Sequence, residues 1–114
     1  MATRDHRLYL MSGTAAIIGH ESMHPYSTQP QVEETLENLN YLMSAMPEPF
    51  DDMHKPAFDG DSILRVYIRD RADLDPIANR LRKQLGSVDS NVIFLRADIC
   101  RRELMLEIDG LRCF

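Results

Sequence analysis

Hydrophobic residues along this chain alternate between two periods, and the changes of period divide it into elements. Residues 8–20, LYLMSGTAAIIGH, are apolar and rich in β-formers, with a Ser-Gly-Thr break in the middle. That pattern predicts two short strands or one kinked strand, with Gly13 marking a bulge or a close backbone approach. Beyond a loop containing Pro25, the residues Val32, Leu36, Leu39, Met43 and Met46 recur at spacings of four, three, four and three. This stripe predicts a helix that stops before Pro47. Thr28 is placed to cap it, Gln31 to complete a capping box, and Pro30 to sit in its first turn.

Residues 62–69 return to a period of two: Leu64, Val66 and Ile68 face one way, and Ile63, Arg65, Tyr67 and Arg69 the other. A second helix is predicted over residues 73–85, with Leu74, Ile77, Leu81 and Leu85 on one stripe and Gly86 closing it. Residues 91–100 and 104–109 read as two last strands. The segment 47–61, PEPFDDMHKPAFDGD, holds three prolines and four aspartates and is expected to be a long surface loop. The order β, β, α, β, α, β, β, with one apolar stripe per helix, predicts an α+β fold. Its architecture is a two-layer sandwich, a mixed β-sheet with both helices on one face. At 114 residues the chain is read as a single domain, 1–114.

Composition narrows the function. A net charge of −5 excludes a basic nucleic-acid-binding face, so no nucleic-acid partner is expected. No apolar run approaches a membrane span, and residues 1–7 lack the design of a signal peptide. The two cysteines, Cys100 and Cys113, form no CxxC pattern, which points to a reducing, cytoplasmic setting. Among 13 basic residues the only lysines are Lys55 and Lys83, and the arginine excess suits local recognition of a small anionic substrate.

Alternation in the last two strands suggests where chemistry sits. Ile93, Leu95, Ala97 and Ile99, with Leu104, Leu106 and Ile108, are assigned to the helix-covered face. Val92, Phe94, Arg96, Asp98 and Cys100 then share the opposite face with Met105, Glu107 and Asp109. Such a mixture of apolar and charged groups suits a face covered by another subunit or domain, with a polar pocket at its edge. There Arg96, Cys100 and Glu107 are expected to converge, with Arg65, Tyr67 and Arg69 contributed by the preceding strand. An Arg96–Glu107 cross-strand pair without catalytic duty is the plainer alternative.

The string His20-Glu21-Ser22-Met23-His24 matches H-E-x-x-H, but zinc chemistry requires that motif on a helix. Gly19 before it, Pro25 after it and the strand upstream contradict that setting, so no metal is expected. Cys100 beside Arg101 and Arg102 has neighbours that favour a thiolate, though no histidine is placed to partner it. Cys113 is read as part of the tail.

Three segments carry a family resemblance: LMSGTAAIIGHESMH over residues 10–24, QVEETLENL over 31–39 and FLRADICRRELMLEIDG over 94–110. They resemble the C-terminal domain of chorismatases, which hydrolyse the enolpyruvyl ether of chorismate, releasing pyruvate and a hydroxybenzoate or a dihydroxycyclohexadiene acid. That domain in turn is similar to the RidA/YjgF fold. The resemblance implies a cofactor-free enzyme and a homotrimer joined through the helix-free sheet face. It makes Glu107 the catalytic acid and Cys100 a pocket cysteine tied to the hydroxybenzoate outcome. Ala15, or its neighbour Ala16, becomes a position bearing on product choice, flanked by Gly13 and Thr14, and Arg96 the arginine holding a substrate carboxylate. A second cation would come from Arg65 or Arg69, with Tyr67 beside them. Chorismatases are several-fold longer, so the chain is expected to lack their N-terminal domain. The rival readings are a RidA-like enamine/imine deaminase and a non-catalytic assembly module.

Overall fold

The structure, a computed structural model, describes residues 8–45, 62–85 and 91–113. Strand β1 (Leu8–Thr14) leads into a small hairpin of β2 (Ile17–Ile18) and β3 (Glu21–Ser22), then helix α1 (Thr28–Ser44). Strand β4 (Ser62–Ile68), a 3-10 turn (Arg71–Asp73) and helix α2 (Leu74–Leu85) follow, and then strands β5 (Val92–Arg96) and β6 (Leu106–Cys113). The main sheet has the order β1-β6-β4-β5, with β4 parallel to β5 and the other pairs antiparallel. Both helices lie against one face, so the two-layer α+β sandwich expected from the periodicity is the observed architecture. The expected loop 47–61 and the closing Gly86 lie outside the described residues, as does Met46.

Helix stripes and strand alternation meet in one core. Val32, Leu36 and Leu39 from α1 and Ile77 and Leu81 from α2 pack on Met11, Leu64, Val66, Ile68, Leu106 and Ile108. A second, smaller cluster of Ala15, Ala16, Ile99 and Leu104 lies beyond the end of β1.

Four expectations need correction. First, β5 is shorter than 91–100 and its faces are reversed: parallel register sets Val92 beside Leu64, Phe94 beside Val66 and Arg96 beside Ile68. Val92 and Phe94 therefore pack on the core, while Ile93 and Leu95 stand on the open face, 50% and 41% exposed. The run VIFLR is apolar at both parities, so alternation within it had no power to choose. Second, residues 97–105 leave the sheet as a loop, because Ile99 turns into the second cluster instead of continuing the strand. Third, β6 extends to Cys113, whose backbone pairs with Leu8 and is no loose tail.

Fourth, Gln31 is no capping-box partner. It is fully buried, and its side-chain amide donates to the carbonyls of His24 and Glu103, both at 2.8 Å. Its Oε1 accepts the Met105 N–H at 2.8 Å. Thr28 likewise donates its hydroxyl to Asp73 at 3.2 Å, tying the start of α1 to the turn before α2. The chain leading into α1 and the 97–105 loop are thus bound together through one side chain. Gln31→Ala would strip partners from three main-chain groups at once. It should lower stability by about 2–4 kcal/mol, read as a shift in the urea midpoint at unchanged slope.

Candidate functional site

The open face of the sheet brings β4 and β6 side by side with Tyr67 directly opposite Glu107 and Arg65 directly opposite Asp109. Side chains two apart along each strand share this face, so the four form a compact polar group among Leu10, Ile63, Ile93 and Leu95. Arg65 grips Asp109 in a fork, Nε to Oδ1 at 2.7 Å and Nη2 to Oδ2 at 2.9 Å. The Tyr67 hydroxyl donates to the same Oδ2 at 3.0 Å, and the guanidinium lies 5.9 Å from the Tyr67 ring centroid. Desolvation, and then the Asp109 carboxylate, push the Tyr67 phenol above the usual tyrosine range. Hydrogen bonding to Asp109 and its charge raise Arg65 as well.

Glu107 points the other way along its strand pair, toward β1. The pairing of β1 with β6 is irregular between Met11 and Thr14, and Gly13 lies in that bulge. A Cβ on Gly13 would stand 2.5 Å from Glu107 Oε1 and 2.8 Å from its Cδ, so the carboxyl rests on the bare glycine backbone. Beyond Gly13 opens a groove of about 350 Å³ lined by Thr14, Ala15, Ile17, Asn38, Tyr41 and Leu42. Asn38 holds its rim by donating to the carbonyls of Ala15 at 2.9 Å and Ile17 at 3.1 Å. Glu107 thus meets Gly13, with Thr14 and Ala15 next along the chain and Tyr67 and Arg65 adjacent on the open face.

Arg96 does not join them. It lies on the helix side of the sheet, on a separate groove of about 220 Å³ with Arg71, over Ile68, Leu74 and Phe94. The expected Arg96–Glu107 proximity fails with the reversed parity of β5, and the cross-strand pair is Arg65–Asp109. Cys100 is an exposed free thiol in the 97–105 loop, not a strand residue facing the site. Arg69 braces that loop, donating to the carbonyls of Ile99 at 2.8 Å, Arg101 at 2.7 Å and Leu104 at 3.1 Å. It is therefore engaged in the fold and is not a free second cation. Asp109 was missed as a site residue; its position opposite Arg65 becomes visible only once β4 and β6 are paired.

His20 and His24 lie in a turn and a bend around β3, and His24 has a left-handed backbone with φ of 51°. The helical geometry of a zinc motif is absent there, and no cluster of metal-ligating side chains occurs among the described residues. No described helix is long and apolar enough to cross a membrane.

Known proteins are similar to this chain in sequence and in fold. A 3-hydroxybenzoate synthase of Streptomyces hygroscopicus is 31% identical over 104 residues, 89% of this chain and 30% of its own length. A chorismatase of Streptomyces rapamycinicus is 32% identical over 108 residues, 94% of this chain and 32% of that protein. A chorismatase crystal structure superposes with a TM-score of 0.76 at 30% identity, covering 92% of this chain and 32% of that one. The fold is the Rid/YjgF fold, in the form that chorismatases carry. A Yersinia pestis member of the Rid family, YyfB, has the same fold at a TM-score of 0.66 and 19% identity, over 95% of this chain and 79% of that one. No protein-family model matches the chain. It spans about a third of the length of the curated relatives it matches.

The strip from the β2–β3 hairpin to the 97–105 loop carries its own electrostatics. Ser22 donates to Glu103 at 2.8 Å, and Arg101 donates to the His20 carbonyl at 2.7 Å. Glu103 is held below the ordinary glutamate range, first by its own backbone N–H, then by Ser22, and also by Arg101 and Arg69. A lowered folded value means that these contacts stabilise the protein at neutral pH and fade as pH falls below the usual glutamate range. Between about pH 7 and about pH 3 the wild type should therefore lose more of its urea midpoint than Glu103→Gln does. Equal losses would remove Glu103 from the acid response.

Proposed function

We propose that this chain is the C-terminal domain of a chorismatase-type enzyme. Its reaction is the hydrolysis of chorismate with loss of pyruvate, giving a hydroxybenzoate or a dihydroxycyclohexadiene acid. The observation that carries the reading is the Glu107 carboxyl seated on Gly13, in the β1 bulge that leads into Thr14 and Ala15. Both residues come from segments that resemble chorismatases, and the likeness covers nearly the whole chain.

In this mechanism Glu107, as the acid, protonates the methylene carbon of the enolpyruvyl group. The double-bond electrons form the new C–H bond, leaving an oxocarbenium at the ether carbon. Water adds there, and the hemiketal collapses to pyruvate and the ring alcohol. If a ring hydroxyl traps the cation instead, elimination from the ring yields a hydroxybenzoate with no net uptake of water. Protonation of carbon is the slow step, and the Glu107 carboxyl pressed against the Gly13 backbone is the group proposed to deliver it. Gly13, Thr14 and Ala15 shape the pocket wall, and Tyr67 and Arg65 flank it.

The polar group sits on a sheet face that carries Leu10 at 72% exposure and Ile63, Ile93 and Leu95 around it. A face of that character favours a homotrimer packed through it, a contact that would also enclose the site. The free Cys100 thiol fits a cytoplasmic setting. Cys100 and Arg96 enter this reading only through the family pattern, since neither shares the face of Glu107.

Chorismate incubated with the purified chain should release pyruvate, followed by coupled reduction to lactate. Glu107→Gln should lower the rate at least about a hundredfold. Gly13→Ala, which displaces the carboxyl, should lower kcat while leaving the fold intact. Wild-type release no faster than that of Glu107→Gln would end the catalytic reading of this chain.

A further inference from the structure

The open-face group has an unequal supply of donors and acceptors. Asp109 receives three hydrogen bonds, two from Arg65 and one from Tyr67. A phenol has a single proton, and here it is given to Asp109; toward a ligand the Tyr67 oxygen therefore has only lone pairs to offer. Arg65, the cation beside Tyr67 on this face, already uses Nε and Nη2 on Asp109. A ligand carboxylate or carbonyl placed against Tyr67 would bring lone pairs against lone pairs, whereas a hydroxyl would bring the missing proton.

We propose that Asp109 is a positioning residue that turns Tyr67 into a hydrogen-bond acceptor, and that Tyr67 selects a ligand carrying a ring hydroxyl at this face. Three features hold the acceptor state. The Arg65 fork fixes the Asp109 carboxylate, the guanidinium stacked toward the Tyr67 ring limits its rotation, and the raised phenol keeps its proton through neutral pH. The identity of the ring rests on the chorismatase reading; the donor–acceptor argument does not.

The test compares binding of 3-hydroxybenzoate and benzoate to the full chain by calorimetry. Wild type should bind the hydroxylated ring about tenfold more tightly, roughly the difference that one matched hydrogen bond makes. Tyr67→Phe should abolish that preference, and Asp109→Ala, which frees the phenol to donate, should shrink it. Absorbance titration supplies an independent readout: one tyrosine titrating above the ordinary range, missing in Tyr67→Phe and moved down in Asp109→Ala.

Equal binding of the two ligands by wild type, a preference surviving in Tyr67→Phe, or selectivity and titration unmoved in Asp109→Ala would each overturn the proposal. So would a failure of both ligands to bind. A chain that releases no pyruvate yet shows the Tyr67-dependent preference would refute the catalytic reading and uphold this one. Pyruvate release without the preference would do the reverse.

Discussion

Strand β6 lies between β1 and β4, and each of its residues must satisfy both neighbours at once. Leu106 and Ile108 fill the core, which forces Glu107 and Asp109 onto the open face. On that face β4 answers with Tyr67 and Arg65, and the resulting ion pair and hydrogen bond engage the Asp109 carboxylate and leave Glu107 to face β1. On the other side β1 answers with a bulge that holds Gly13, where any Cβ would occupy the place of the Glu107 carboxyl. The bulge in turn releases the chain to pass Ala15 and Ala16 into the second cluster. Fold and candidate site therefore follow from the same double pairing.

Much of this was legible in the chain. The helical stripes, the alternation of β4 and the inward Leu106 and Ile108 have one reading each, because a polar residue at an inward position costs more than any local preference restores. Gly13 was legible as a bulge, although not as the seat of a carboxyl. Alternation failed at β5, where VIFLR offers hydrophobic residues to both faces and only pairing with β4 decides. That failure placed Arg96 beside Glu107. It failed again after Arg96, where Ile99 has a buried destination outside the sheet that period-two reasoning does not contain.

The arginines show a related limit. Their excess over lysine suggested recognition of an anion, yet several serve the fold: Arg65 with Asp109, Arg69 with three carbonyls, Arg80 with Glu33, and Arg101 with the His20 carbonyl. A guanidinium presents donors in a fixed fork, which suits the carbonyls of an irregular loop better than an ammonium does. Residues 97–105 make such a loop. With no strand partner for their carbonyls, they need side-chain donors, and Arg69 reaches them from the end of β4.

That bracing has a consequence for the site. Glu107 begins three residues after Leu104, whose carbonyl Arg69 holds and whose neighbour Met105 donates to the buried Gln31. The same Gln31 fixes the carbonyls of His24 and Glu103, and Arg101 and Glu103 reach across to the β2–β3 hairpin. The strand bearing Glu107 is thus anchored at its start by polar contacts to the segment that continues from Gly13 and Ala15. Part-buried hydrogen bonds, directional by nature, therefore tie the two segments to each other. The place of the Glu107 carboxyl on Gly13 therefore depends on these polar contacts as much as on the apolar core beneath the sheet.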